Sequence, residues 1–88
     1  MVERAVLVRN AHGIHARPAA EIVKVAGRFR SDITIGRDDL EVNGKSIMGV
    51  MMLAAECGAT VVIRAVGDDA EAAVEALAEV IVSKFGEQ

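Results

Sequence analysis

The feature that most restricts this chain is the way its apolar residues change period along the sequence. Between Val2 and Asn10, Val6 and Val8 fall on one side of an alternation, and Ala5 and Leu7 on the other. That pattern predicts a strand buried on at least one face. From Ala16 the spacing lengthens. Ala19, Ile22, Val23 and Ala26 recur at helical intervals, Glu21, Lys24 and Arg28 fall elsewhere on the wheel, and Gly27 stands where the helix should stop. Alternation then returns twice, at Ile33 and Ile35 and at Leu40 and Val42, with "GRDD" between them, which predicts two short strands joined as a hairpin.

"NGK" at Asn43 to Lys45 reads as a turn, and Ser46 is placed to cap a short helix over Ile47 to Leu53 or a little beyond, with Gly58 near its end. "ATVVIRAVG" from Ala59 is the strongest strand signal. "DDAE" from Asp68 to Glu71 has the form of a capping box with an aspartate as the cap. It introduces a last helix with Ala73, Val74, Leu77, Val80 and Ile81 on one face and Glu71, Glu75 and Glu79 largely opposite. The order β-α-β-β-α-β-α predicts an α+β fold of two layers, a four-stranded antiparallel sheet with its three helices packed on one face. With no linker, repeat or low-complexity tract, residues 1–88 are expected to form a single domain.

Composition excludes several classes of function. A chain of 88 residues buries about 60–65% of its unfolded surface, enough for one modest core and no deep enclosed site. The net charge is −3, and Phe29 and Phe85 are the only aromatic residues. Neither a basic phosphate-binding surface nor a base-stacking platform is available, so no nucleic-acid partner is expected. Cys57 is the sole cysteine, which precludes an intrachain disulfide and suits a reducing compartment. No apolar run reaches the length of a membrane span, and Glu3 and Arg4 interrupt the N-terminus where a signal peptide would need apolar residues. A cytoplasmic protein without direct membrane insertion is expected.

The stretch "GIHARPAA" from Gly13 to Ala20 carries the chemistry. Proline is favoured in the first turn of a helix, so Pro18 places Ala16 or Arg17 at or near the cap and His15 just before it. A helix N-terminus offers unpaired N–H groups and partial positive charge to an anion. Arg17 adds a planar fork of donors suited to phosphate oxygens, and Ala16, Ala19 and Ala20 let another protein approach closely. Imidazole is a nucleophile near neutral pH and can carry a group covalently. Phosphoryl transfer asks the protein mainly for positioning and charge stabilisation. A helix end stabilises an exposed anion by about 0.3–1 kcal/mol, and about 2 in favourable geometry. That steadies a phosphoryl group without trapping it, which fits a carrier better than a kinase.

At these residues the chain resembles the HPr phosphocarrier family of the phosphoenolpyruvate-dependent sugar phosphotransferase system. "GIHARPAA" looks like that family's active-site signature, and "GKSIMGVMML" from Gly44 to Leu53 resembles its regulatory-serine signature. Separation, length and element order agree as well, so the resemblance spans essentially the whole chain. It implies an open-faced β-sandwich. It implies that His15 accepts a phosphoryl group on Nδ1 from enzyme I and passes it to enzyme IIA components, with Arg17 stabilising the phosphate. It further implies regulatory phosphorylation of Ser46 by the HPr kinase/phosphorylase. Ile47, Met48 and Met51, with Ala20, carry over as partner-docking residues. Two other readings stay open: a nitrogen-related paralogue in a regulatory phosphorelay, and a non-transferring regulatory interaction domain of the same fold.

The remaining signals are weaker. About half of the apolar residues of the short helix, which include Ile47, Met48, Met51 and Met52, are expected in the core, with the others forming an adaptable surface. His12 and His15 have a metal-like spacing but no third ligand nearby, so neither metal nor cofactor is expected. His12 is expected as an exposed turn residue beside the site. "NGKS" lacks the first glycine and the context of a phosphate-binding loop. Cys57 is expected as a small buried hydrophobe.

Overall fold

The first strand, β1, runs over Val2–Leu7 and buries Val6 while leaving Ala5 and Leu7 exposed, as its alternation requires. In the computed structural model, which describes residues 1–83, six further elements follow. They are α1 (Ala16–Ala26), β2 (Asp32–Arg37), β3 (Leu40–Asn43), α2 (Ile47–Met52), β4 (Thr60–Val66) and α3 (Ala70–Val82). The element order agrees with the sequence reading, although Phe85 lies outside the described residues. β1 is shorter than its apolar run. Val8 is nevertheless fully buried, and its N–H donates to Ala59 O at 2.8 Å.

The strands form one four-stranded antiparallel sheet in the order β1-β4-β2-β3. β4 is thus last in sequence and central in space. Its buried residues Val61, Ile63 and Ala65 alternate with the outward Val62 and Arg64. Cross-strand pairs continue the inner layer: Val6 opposite Val61, Ile35 opposite Ile63, and Ile35 opposite Val42. The helices cover that face. α3 packs on β1 and β4 through Ala73, Val74, Leu77 and Ile81, and α1 contacts both α2 and α3. The core is dominated by Ile, Val and Ala, and fully burying each Ile or Val side chain contributes about 1.5–3 kcal/mol.

Several local expectations are corrected. The hairpin loop is only Asp38 and Asp39, because Gly36 and Arg37 belong to β2 and Arg37 pairs with Leu40. Asp38 takes the left-handed conformation, φ 53°, that two-residue hairpins demand. Cys57 is exposed, not buried, since it sits in the turn leading to β4. The cap of α3 is Asp69, and its carboxylate does not cap its own helix. It instead accepts from the Arg30 N–H at 2.9 Å, the Ser31 N–H at 3.0 Å and the Ser31 hydroxyl, tying the start of α3 to the start of β2. Gly67 closes this corner, with φ 149° and a position where a Cβ would lie 2.8 Å from Ser31 Cα.

The Ser31 hydroxyl, joined by the N–H groups of Arg30 and Ser31, holds the Asp69 carboxyl down at about 2 against an ordinary 3.8. A depressed carboxyl stabilises the fold above its unfolded value, and that contribution disappears as pH falls through the folded value. Asp69→Asn is therefore expected to be less stable than the parent at neutral pH. The gap in urea midpoint should narrow as pH falls from 3.8 towards about 2. A gap independent of pH over that window would contradict the assignment.

Candidate functional site

His15 is the N-cap of α1, with extended backbone (φ −106°, ψ −165°), and its carbonyl accepts the first helical hydrogen bond, from the Ala19 N–H at 2.9 Å. The cap thus falls one residue earlier than the proline suggests. Ala16 and Arg17 are the first two helical residues and Pro18 the third, the last position at which a missing N–H costs no hydrogen bond. The His15 side chain makes no capping bond and the first turn holds no acidic side chain, so the amides of Ala16 and Arg17 face a surface suited to an anion. The His15 ring is partly exposed. The His12 ring stands edge-on to it, with centroids 6.0 Å apart, and is itself exposed at the turn, as expected.

The loop before His15 is fixed by contacts that leave little freedom. Gly13 has φ 66°, and a Cβ there would approach Glu56 Cα to 2.8 Å. The Gly13 N–H donates to Asn10 O at 3.0 Å, the fully buried Asn10 Nδ2 donates to Gly13 O at 2.6 Å, and the Ile14 N–H donates to Ala55 O at 2.7 Å. Local sequence reasoning reads Gly13 as a turn residue and not as a contact of residues 55 and 56, because that segment is more than 40 residues away in the chain.

Arg17 is exposed and forms no ion pair among the described residues, so its guanidinium remains available to an incoming anion. Arg17, Ala20 and Lys24 follow one another at helical spacing and are all exposed. On the neighbouring α2, Ile47 is 42% exposed, Met48 74%, Met51 43% and Met52 65%. The expected division of α2 into core and surface halves is corrected: within the helix only Val50 is buried, and Leu53 follows at its end. Met52 joins the apolar surface although the sequence motif did not single it out.

Ser46 caps α2 as expected, its Oγ accepting from the Gly49 N–H at 3.1 Å. The turn before it is set by Asn43 Oδ1, which accepts from the Lys45 N–H at 2.9 Å, while Lys45 Nζ reaches Phe29 O at 2.8 Å. Among the described residues no group of three or more His, Cys, Asp or Glu could hold a metal ion. No helix of the described residues is long and apolar enough to cross a membrane.

Gly13→Ala is expected to lower the melting temperature by about 10 °C or more, from the left-handed backbone and the clash with residues 55 and 56. Amide exchange at Ile14 should accelerate with it. A variant of parental stability would show that the loop is not held by this approach.

A family model described as the PTS HPr component phosphorylation site matches residues 2–83. The chain is 48% identical over 88 residues to the phosphocarrier protein HPr of Treponema pallidum, covering 100% of each chain. It is 47% identical over 78 residues to the HPr-like protein Crh of Bacillus subtilis, covering 89% of this chain and 92% of that one. The crystal structure of HPr from Thermoanaerobacter tengcongensis superposes with a TM-score of 0.95 at 46% identity, covering 100% of this chain and 99% of that one.

Proposed function

The chain belongs to the HPr family of phosphocarriers of the phosphotransferase system, and on that premise we propose that His15 is the residue that takes up and releases the phosphoryl group. The observation that carries the reading is the position of His15 as the cap of α1, beside the open first turn and the exposed Arg17. A ring nitrogen of His15 attacks phosphorus as the P–N bond to the phosphohistidine of enzyme I breaks, and that imidazole leaves with the bonding pair. The reverse exchange delivers the group to a histidine of an enzyme IIA component. Arg17 and the Ala16 and Arg17 amides share the charge on the equatorial oxygens. The protein is a carrier and not a turnover enzyme. Ala20, Ile47, Met48 and Met51 form the docking surface, which Met52 extends. One domain over residues 1–88 working in the cytoplasm completes the reading.

A second reading, a regulatory domain that does not transfer phosphate, draws on the likeness to Crh. The presence of His15 with Arg17 favours the carrier. A nitrogen-related phosphorelay differs only in its donor, and rates with each kind of enzyme I separate the two.

Incubation with enzyme I and phosphoenolpyruvate should add one acid-labile, base-stable phosphoryl group, absent from His15→Ala. Unchanged loading of a folded His15→Ala would end the carrier reading.

Ser46 is the proposed regulatory phosphorylation site, served by the HPr kinase/phosphorylase. Phosphorylation brings about −1.5 to −2 charges to a helix N-terminus, where the backbone tolerates it. The helix need not melt, so the effect is electrostatic and falls on docking. Ser46→Asp retains a capping oxygen and is expected to slow transfer from enzyme I by about tenfold. Its melting temperature should stay within about 4 °C of the parent. A large fall in melting temperature would contradict regulation by charge.

A further inference from the structure

Arg37, the last residue of β2, points under the loop that leads out of α2, and neither signature motif contains it. Its Nη1 donates to two backbone carbonyls, Leu53 O at 3.2 Å and Ala54 O at 2.7 Å. Its Nη2 pairs with both carboxylate oxygens of Glu56, with Oε2 at 2.8 Å. The planar fork of a guanidinium matches this divided target, whereas an ammonium supplies only a point charge. Between these anchors Ala54 holds φ 48°, a left-handed conformation that a residue with a Cβ adopts only when its surroundings impose it.

The clamped segment is the same one that seats the His15 loop. Ala55 O accepts from the Ile14 N–H at 2.7 Å, and the backbone at Ala55 and Glu56 lies against Gly13. Ile14 directly precedes the cap. An unbroken chain of bonds therefore runs from Arg37 through Ala54 and Ala55 to Ile14 and His15. We propose that Arg37 is a positioning residue for phosphoryl transfer, fixing the 53–56 segment so that the His15 loop keeps its geometry. The proposal rests on the carrier reading. Arg37 touches neither the phosphoryl group nor the docking helix face, so its loss should appear in the transfer step and not in partner affinity.

The test is rapid-quench transfer from phosphorylated enzyme I to the parent protein, Arg37→Met and Arg37→Lys, together with amide exchange at Ile14. Arg37→Met keeps the apolar stem and removes every donor. Its rate at saturating donor is expected to fall about tenfold, with KM within about twofold of the parent and faster exchange at Ile14. Arg37→Lys should fall between the two, about threefold below the parent. If Arg37→Met does not fold, the lysine variant decides, and a parental rate for it overturns the proposal. A saturating rate for Arg37→Met within twofold of the parent, or a loss confined to KM, also overturns it. Failure of the parent to accept phosphate would instead sink the carrier reading, so the two failures are distinguishable.

Discussion

The insertion of β4 between β1 and β2 is the constraint on which the rest of the molecule depends. Thr60–Val66 pairs with both neighbours along its length, and its inward residues form the middle of the buried layer. Because β4 is antiparallel to each, its start lies beside the end of β1 and the end of β2. The β1–β4 pairing even continues past the formal strands, through the Val8 and Gly58 N–H bonds to Ala59 O and Val8 O, each at 2.8 Å. Three stretches therefore meet at one end of the sheet: the loop leaving β1 towards His15, the segment entering β4, and Arg37 at the end of β2. Strand pairing assembles the end of the protein that carries His15 before any side-chain chemistry is considered.

What that end can do follows from how little it encloses. On the carrier reading proposed above, an imidazole at the mouth of a helix, open amides and one surface guanidinium would stabilise a phosphoryl group by electrostatics worth about 2 kcal/mol from the helix end at most. A group held so lightly can leave again. On the same reading, catalytic power and partner choice would come from surfaces that cover the site during transfer, and the exposed apolar residues of α2 offer a place for such a surface. Methionine, unbranched and polarizable, suits a face that fits several partners in turn.

The sequence disclosed the fold because its elements obey local rules. Alternation at Val6 and Val8, helical spacing at Ala19, Ile22 and Ala26, and a serine ahead of Ile47 each act over a few residues. The placement of His15, Arg17 and Ser46 at helix starts was legible for the same reason, because Pro18 and the "NGKS" turn mark those starts. What stayed hidden was set by contacts between distant residues. The "DDAE" box predicts an aspartate side chain capping α3, yet the Asp69 carboxylate serves Ser31 across 38 positions. Cys57 was read as buried from its residue type, whereas exposure is decided by the turn that feeds β4. Arg37 and Glu56 look like ordinary surface charges until the sheet brings them together.

The misjudged burial of α2 has the most general lesson. A six-residue helix is too short to be stable alone, and such helices are normally held by the face they bury. Here only Val50 and the following Leu53 are buried, while four long apolar side chains stay outside. Val50 and Leu53 seat its inner side, and α1 packs beside it. Ser46 satisfies the Gly49 amide at the start, and Arg37 binds the Leu53 and Ala54 carbonyls of the segment that follows the helix. A helix seated by so few residues leaves its outer face free of packing, so the residues there can answer to a partner. It also joins the serine at one end to the segment beneath the His15 loop at the other through a single rigid turn-and-a-half of backbone. A domain too small to enclose a site can thus keep the proposed docking surface, the proposed regulatory position and His15 within one connected framework.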